Sequence, residues 1–481
     1  MQYDVVGRRT KLLFKSENRT GYLNLDTYQT YSYNANQQLS RIQRDADSAK
    51  AAVYTYDSDG RVTRVSDNTY YGSWSSYGYD ASGALTKIGH YSGFHSDSPI
   101  ATLAYQYDAA GNVTRLEWDD DLDNANTWNL QSGRATITYQ YDDLYRLTRE
   151  YCSPGSNSHR RQYGDEYWYD AVGNRTKMRY YNVDHQEEVW DEELQDWVWV
   201  TSPAWEETSY QYSSRNELTR TTFEGTDDTI YTYDLRGNLT KKGSTEYYWD
   251  GQDHLTKVGK GGTTTQYKYD LLGRRVGKKV GSGAWNWYFY DGLKVAAEGT
   301  STTNKTFYTN GPGDVGGIVS RGDYYYHYDR LGNVVAVTSG GGNLVDLYTM
   351  DAFGNVLQVA QSGYGYYNNT NSSQPYHLTS KEHDSESGLY YFKARWYDPE
   401  VGRFASRDPR SREFLVKVGC GGLRQLVRIL VSDPSYADWV NSYIYCHNNP
   451  TGHVDPDGGC RKGRPPTPPN PPVVPTGPVC N

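Results

Sequence analysis

Aromatic and polar positions alternate along this chain in short runs that keep returning. Tyr54-Thr-Tyr-Asp-Ser-Asp-Gly-Arg-Val-Thr-Arg-Val65 is followed by Tyr77-Gly-Tyr-Asp-Ala-Ser-Gly-Ala-Leu-Thr-Lys-Ile88 and Tyr105-Gln-Tyr-Asp-Ala-Ala-Gly-Asn-Val-Thr-Arg-Leu116. Further close copies start at Tyr167 and Tyr231, and weaker ones lie around Tyr3, Tyr33, Tyr141, Tyr212, Trp249, Tyr269, Tyr290, Tyr328 and Met350. Tyr-x-Tyr puts two rings on one face of a strand. Asp-x-x-Gly supplies a turn in which the carboxylate accepts amide hydrogens and Gly takes the positive φ. Val-Thr-Arg-Val then alternates back along a second strand. Each copy predicts one β-hairpin, which cannot bury its face alone and must stack on its neighbours. The spacing is commonly 20 to 30 residues and ranges from 16 to 43, so insertions separate some copies.

Composition agrees with an all-β chain. There are 49 Tyr and 48 Gly against 9 Phe and 3 Met, which excludes a Leu/Ile-cored α/β enzyme and suits pleated, half-buried surfaces. A net charge of -9 speaks against nucleic acid as a partner of the whole chain. No apolar run approaches the roughly 20 residues of a membrane span. The start enters in mid-repeat with no basic-then-apolar leader, which reads as a piece of a longer protein or as export without such a signal. The five Cys (152, 420, 446, 460, 480) are odd in number and form no Cys-x-x-Cys pair. They predict neither a disulfide framework nor a zinc site, and nothing in the chain calls for a cofactor or metal.

Two insertions and one tripeptide carry candidate chemistry. Asp119, Asp121 and Asp123 have the alternate spacing of a calcium loop, but the sixth position is Asn124 and the twelfth Leu130, so the stretch reads as a solvated acidic loop. The segment from Tyr181 to Glu207 holds nine acidic residues, no Lys or Arg, and Trp190, Trp197, Trp199 and Trp205. It predicts an extended hairpin, with Trp190, Trp197 and Trp199 as candidate sugar-stacking residues for a cell-wall glycan. Arg321-Gly-Asp323 spells an integrin tripeptide but sits before a repeat and reads as a chance turn.

The repeats resemble the YD repeat of the RHS (rearrangement hotspot) family over nearly the whole chain to about residue 360. From 325 the match tightens. Tyr326 to Thr338, Tyr348 to Val356, Pro375 to Asp384, Gly388 to Pro409, Asn441 to Pro450 and Val454 to Gly458 resemble, in order, the family's last repeats and its RHS repeat-associated core. The resemblance implies a β-sheet spiral closing into a hollow cocoon, with the core as its plug. It divides the chain into a YD-repeat shell (1–324), last repeats and core (325–409), an insertion (410–437), the end of the core (438–459) and a Pro-rich tail (460–481).

In many members the core is an aspartyl autoprotease that releases the polypeptide on its C-terminal side, a chemistry needing two carboxylates that share a proton. The resemblance makes Asp408 and Asp455 the candidate pair, each aimed by the proline after it. Arg403 and Lys381 are the candidate cations beside them, and the cut falls at Gly458–Gly459. The chain departs from the pattern in three ways. Asp408-Pro is followed by Arg410-Ser-Arg-Glu rather than a small apolar residue and Gly, Gly459 replaces the usual Leu, and about 25 extra residues separate the two Asp-Pro motifs. Within those, Leu423, Leu426, Val427, Leu430 and Val431 fall at helical spacing and predict a short amphipathic helix. Arg461 to Pro478 contains eight prolines, which predicts polyproline or disorder in place of the toxin domain that relatives carry there. The expectation is a shell that encapsulates or displays a C-terminal polypeptide, absent or lost here. It would belong to a secreted or cell-surface intercellular-competition system, be handled by an export machine, and act at most as an autoprotease. The alternatives are a non-cleaving, glycan-binding surface protein and the precursor of a toxin nuclease lacking its payload.

Overall fold

The computed structural model describes residues 1–14, 27–44, 51–67, 72–92, 99–120, 133–155, 158, 160, 162–182, 186–191, 196–201, 204–301, 304–313, 315–361, 365–367, 374–409, 415–420, 423–428 and 441–458. The predicted hairpins form with the expected chemistry. In the copy at Tyr54, the Asp57 carboxylate accepts the amides of Asp59 (3.0 Å) and Arg61 (2.9 Å), and its other oxygen accepts Arg61 Nε at 2.7 Å. Gly60 closes the turn at φ +81°, where only glycine sits without cost. The same two amide bonds recur at Asp108, Asp170, Asp270 and Asp329.

The second tyrosine of a copy does more than pack. The hydroxyl of Tyr79 donates to the Val62 carbonyl (2.7 Å), Tyr141 to Val113 (2.7 Å), Tyr169 to Leu147 (2.8 Å) and Tyr269 to Leu255 (2.8 Å). Each acceptor opens the return strand of the preceding copy, so the ring is half-buried while its polar tip ties one hairpin to the last.

Stacked this way, 31 strands make one sheet. Among the described residues every ladder within it is antiparallel and joins a strand to the next one in the sheet, from Gln2–Tyr3 to Gly365–Tyr367. The sheet coils far enough that its late strands return to its early ones. Arg9 pairs with Asp291 at 2.5 Å, Gln29 Nε2 donates to the Tyr308 carbonyl at 2.6 Å, and Ser73 and Thr338 hydroxyls meet at 2.6 Å. One core cluster accordingly joins Leu85, Ile88 and Leu103 to Val335, Ala336 and Leu347. This is the spiral shell that the family resemblance implies, its seam among the described residues made by side chains rather than by a ladder.

A second sheet has four strands: Glu382–Asp384, Leu389–Tyr391, Trp396–Asp398 and Arg403–Phe404. It packs on the shell as a plug. Leu389, Tyr391, Trp396 and Val401 share a core with Tyr210, Tyr231, Tyr247 and Tyr267, and Phe392, Tyr397 and Phe404 share another with Leu147, Tyr167 and Phe353.

The insertion corrects one expectation. Leu423–Arg428 is a strand paired antiparallel with Leu415–Cys420, Cys420 opposite Leu423 and Leu415 opposite Arg428, so Leu423, Leu426 and Val427 of the expected helix lie in a strand, while Leu430 and Val431 lie outside the described residues. Gly421-Gly422 between two runs compatible with strands is a tight-turn signal in the sequence, and the helical spacing of Leu423, Leu426 and Val427 does not outweigh strand pairing. Among the described residues two short 3-10 turns are complete, Leu378–Ser380 and Cys446–Asn448. No helix among them is long and apolar enough to cross a membrane.

Candidate carboxylate site in the core plug

The plug owes its site to a sharp connection and a returning segment. Between Leu389–Tyr391 and Trp396–Asp398 the chain turns through Lys393 at φ +67°, with the Phe392 amide donating to the Arg395 carbonyl at 2.9 Å. Residues 441–458 then run along the plug. The Phe404 amide donates to Tyr443 O and that of Asp408 to Ser442 O, both at 3.0 Å, while the Ala394 amide donates to Asp457 O at 3.0 Å. Two motifs far apart in sequence, Asp408-Pro and Asp455-Pro, thereby meet at Arg395.

The Arg395 guanidinium organises everything around it. Its Nη2 lies 3.3 Å from Asp408 Oδ2 and 3.2 Å from Asp455 Oδ2. Nη1 donates to Ser442 O at 3.0 Å, and Nε donates to the Gly458 carbonyl. Its carbon stacks 3.5 Å from the Phe404 ring centroid. Asp455 Oδ1 accepts the Gly458 amide at 2.9 Å. Gly458 has φ +77°, and a Cβ there would fall 2.7 Å from the Phe392 carbonyl, so the backbone can pass this close only as glycine.

The site is dry. Arg395 is 1% exposed, Asp455 3% and Asp408 6%. Phe392, Tyr397, Phe404 and Tyr445 wall it with ring centroids 4.4 to 5.9 Å apart. Burial pushes the Asp455 carboxyl above the usual carboxylate range, although Arg395 pulls it back, and the neighbouring Asp457 adds to the rise.

Of the cations predicted from sequence, Lys381 is near and Arg403 is elsewhere. Lys381 Nζ donates to Thr379 O at 3.1 Å, and its charge also draws Asp455 down. Arg403 instead fastens the plug to the shell. It donates to Asn174 Oδ1 (2.9 Å), the Asn216 carbonyl (2.6 Å) and Asn441 Oδ1 (3.4 Å), and lies 4.8 Å from the Tyr212 ring. The cation on the carboxylate pair is Arg395, which sequence reasoning did not single out. Its only signal was its place inside the Gly388-to-Pro409 motif, one arginine among several. Gly459, the other side of the expected cut, lies outside the described residues, as do the Pro-rich tail and most of the acidic loop.

The Trp-rich insertion forms a separate two-stranded hairpin, Gln186–Asp191 with Asp196–Thr201, in which Trp190 stands opposite Trp197 and Trp199 opposite Glu188. In the Arg321-Gly-Asp323 triplet, Arg321 is bound to Glu298 at 2.6 Å, an internal role.

Comparisons with known proteins agree with the fold. A family model described as Teneurin YD-shell matches residues 123–417. The tRNA3(Ser)-specific nuclease WapA of Bacillus spizizenii is 32% identical over 302 residues, covering 61% of this chain and 11% of that protein. The toxin subunit YenC1 of Yersinia entomophaga is 25% identical over 418 residues, covering 77% of this chain and 38% of its own length. The crystal structure of TcdB2-TccC3 superposes with a TM-score of 0.63 at 18% identity, covering 95% of this chain and 24% of that one. The chain spans about a tenth of the length of the WapA relatives it matches. The YD hairpins, the coiled sheet, the core plug and these matches identify the chain as a member of the RHS/YD-repeat family, to which the teneurin YD-shell belongs.

Proposed function

We propose that this chain is the shell-and-plug module of a longer, secreted or cell-surface toxin-type polypeptide, that it encloses a C-terminal polypeptide, and that the plug cuts its own chain between Gly458 and Gly459. The observation that carries this reading is Arg395, which holds Asp408, Asp455 and the Gly458 carbonyl oxygen at once. That oxygen belongs to the bond expected to break. Arg395 Nε polarises it and stabilises the oxyanion that forms when water adds to the carbon. Asp408 takes the proton of that water as general base. Asp455, which burial biases toward its protonated form, donates a proton to the departing Gly459 nitrogen. The products are a Gly458 carboxylate and a free Gly459 amine. Enclosure is supported by the coiling of the sheet and by the shell cores into which the plug is packed.

Intact mass of the purified chain tests the cut. A species ending at Gly458, lost in both Asp455→Asn and Asp408→Asn, is the expected result. A wild-type chain that stays whole while circular dichroism shows the folded sheet would refute the proteolytic part.

A further inference from the structure

Counted from its aspartate, the fifth residue of the repeat's turn divides the copies into two kinds. Arginine stands there at 8, 61, 146 and 274, and asparagine in the five Asp-x-x-Gly-Asn turns that end at 112, 174, 238, 333 and 355. Each arginine donates Nε to its own aspartate at 2.6 to 2.7 Å. Its guanidinium then lies over the second tyrosine of the next copy: Arg8 on Tyr33, Arg61 on Tyr79, Arg146 on Tyr169 and Arg274 on Tyr290, 4.5 to 5.0 Å from the ring centres. Such a copy covers its neighbour's ring by itself.

Asparagine is too short to do this, and it offers something arginine lacks. Its Nδ2 goes to the same aspartate at 2.6 to 2.9 Å, which leaves Oδ1 as an acceptor. In three of the five turns a donor from the plug side takes that oxygen. Asn449 Nδ2 donates to Asn112 Oδ1 at 3.0 Å, and Arg403 Nη1 to Asn174 Oδ1 at 2.9 Å, joined there by Asn441 Nδ2. The Thr379 amide, just ahead of the plug's first strand, donates to Asn333 Oδ1 at 2.8 Å. The other two turns touch the plug as well. Asn355 Nδ2 donates to Pro399 O at 3.0 Å, and Leu239, next to Asn238, donates its amide to Ala405 O at 2.8 Å. The plug also supplies the missing cover. Arg403 lies 4.8 Å from the ring of Tyr212, the second tyrosine of the copy after Asn174. Thr451 Oγ1 meets the hydroxyl of Tyr141, which follows Asn112 in the same way, at 2.7 Å.

We propose that this fifth residue decides where the plug docks: asparagine receives it, while arginine closes a copy against the next and refuses it. The partner selected is a surface of N–H donors, here the chain's own plug. Docking of this kind does not depend on self-cleavage.

Hydrogen exchange of the full chain, read by mass spectrometry over residues 389–409 and 441–458, tests the assignment. Asn174→Arg removes the acceptor and sets a second guanidinium beside Arg403, in a turn that four copies already build with arginine. Both plug segments should exchange at least about tenfold faster, the loss expected for one hydrogen bond to a charged group, while strands Tyr163–Tyr169 and Arg175–Asn182 keep their protection. Asn112→Arg should act likewise through Asn449, and it decides the matter if the first variant fails to fold. Arg61→Asn should leave plug exchange unchanged. Adding Arg403→Gln to Asn174→Arg should restore most of the protection, because the introduced cation then faces an acceptor; crowding alone predicts no recovery. Wild-type plug exchange in a folded asparagine variant, equal acceleration in Arg61→Asn, no recovery in the double variant, or loss of shell protection in both asparagine variants each overturns the proposal.

Discussion

Glycine and tyrosine positions of the repeat can be separated by what surrounds them. Gly111 has φ +88° and nothing within 4 Å of where a Cβ would stand, whereas Gly354 has φ +95° and Leu378 within 2.7 Å. Gly111→Ala should therefore cost only backbone strain, about 1–2 kcal/mol, and Gly354→Ala visibly more, as measured by urea unfolding. Tyr169→Phe removes a hydroxyl bond to Leu147 O while keeping the half-buried ring, for a loss of about 1 kcal/mol. Equal stability of Tyr169→Phe and wild type would reduce the unit-to-unit tie to packing alone.

Single hairpins and the plug each draw their character from one short run, but their placement does not come from it. The Asp-x-x-Gly turns were legible because carboxylate, amides and glycine lie within five residues of one another. The pairing of Leu415–Cys420 with Leu423–Arg428 was not, because Leu and Val at helical spacing also suit a strand. Arg403 was expected beside the carboxylates, yet it reaches the Asn174 and Asn216 turns, while Arg395 makes the carboxylate contacts. Arg395→Lys keeps a charge and loses the planar fork that spans two carboxylates and a carbonyl. That variant should fold with unchanged far-ultraviolet dichroism and yield no cut species by mass. Cleavage at the wild-type rate would remove Arg395 from the mechanism.

Across the whole molecule, the seam between early and late strands has its own pH dependence. Ser75 Oγ sits 2.8 Å from His90 Nδ1 and 3.2 Å from His327 Nδ1, His327 Nε2 lies 3.0 Å from Thr338 Oγ1, and the imidazoles are 5.2 Å apart. Tyr77 stands opposite Ile88 on the same hairpin, and Tyr328 follows His327 in its strand. Burial pushes His327 down to about 4 and His90 well below its ordinary value. Both are thus neutral in the folded shell, while the unfolded chain takes up protons from about pH 6.5 downward. Stability should fall on acidification from about pH 6.5 through 4, by up to about 3 kcal/mol for His327. Buried Glu150 and Asp165 are raised and act in the opposite sense, so the comparison must be with a variant. His90→Gln/His327→Gln should show a flatter urea stability between pH 7 and 4; the same slope as wild type would exclude the pair.

What the amino-acid order determined by itself was local and repeated: the alternation of each strand, the turn chemistry, the all-β class, and a core motif specific enough to name a family. These arise from interactions within a dozen residues, which any stretch of this composition makes wherever it lies. Only the tertiary structure decided which late strand returns to which early one and which arginine meets Asp408 and Asp455. Those outcomes depend on how the sheet's twist accumulates over 31 strands and on which buried charges find partners. Neither is written at any one position of the chain.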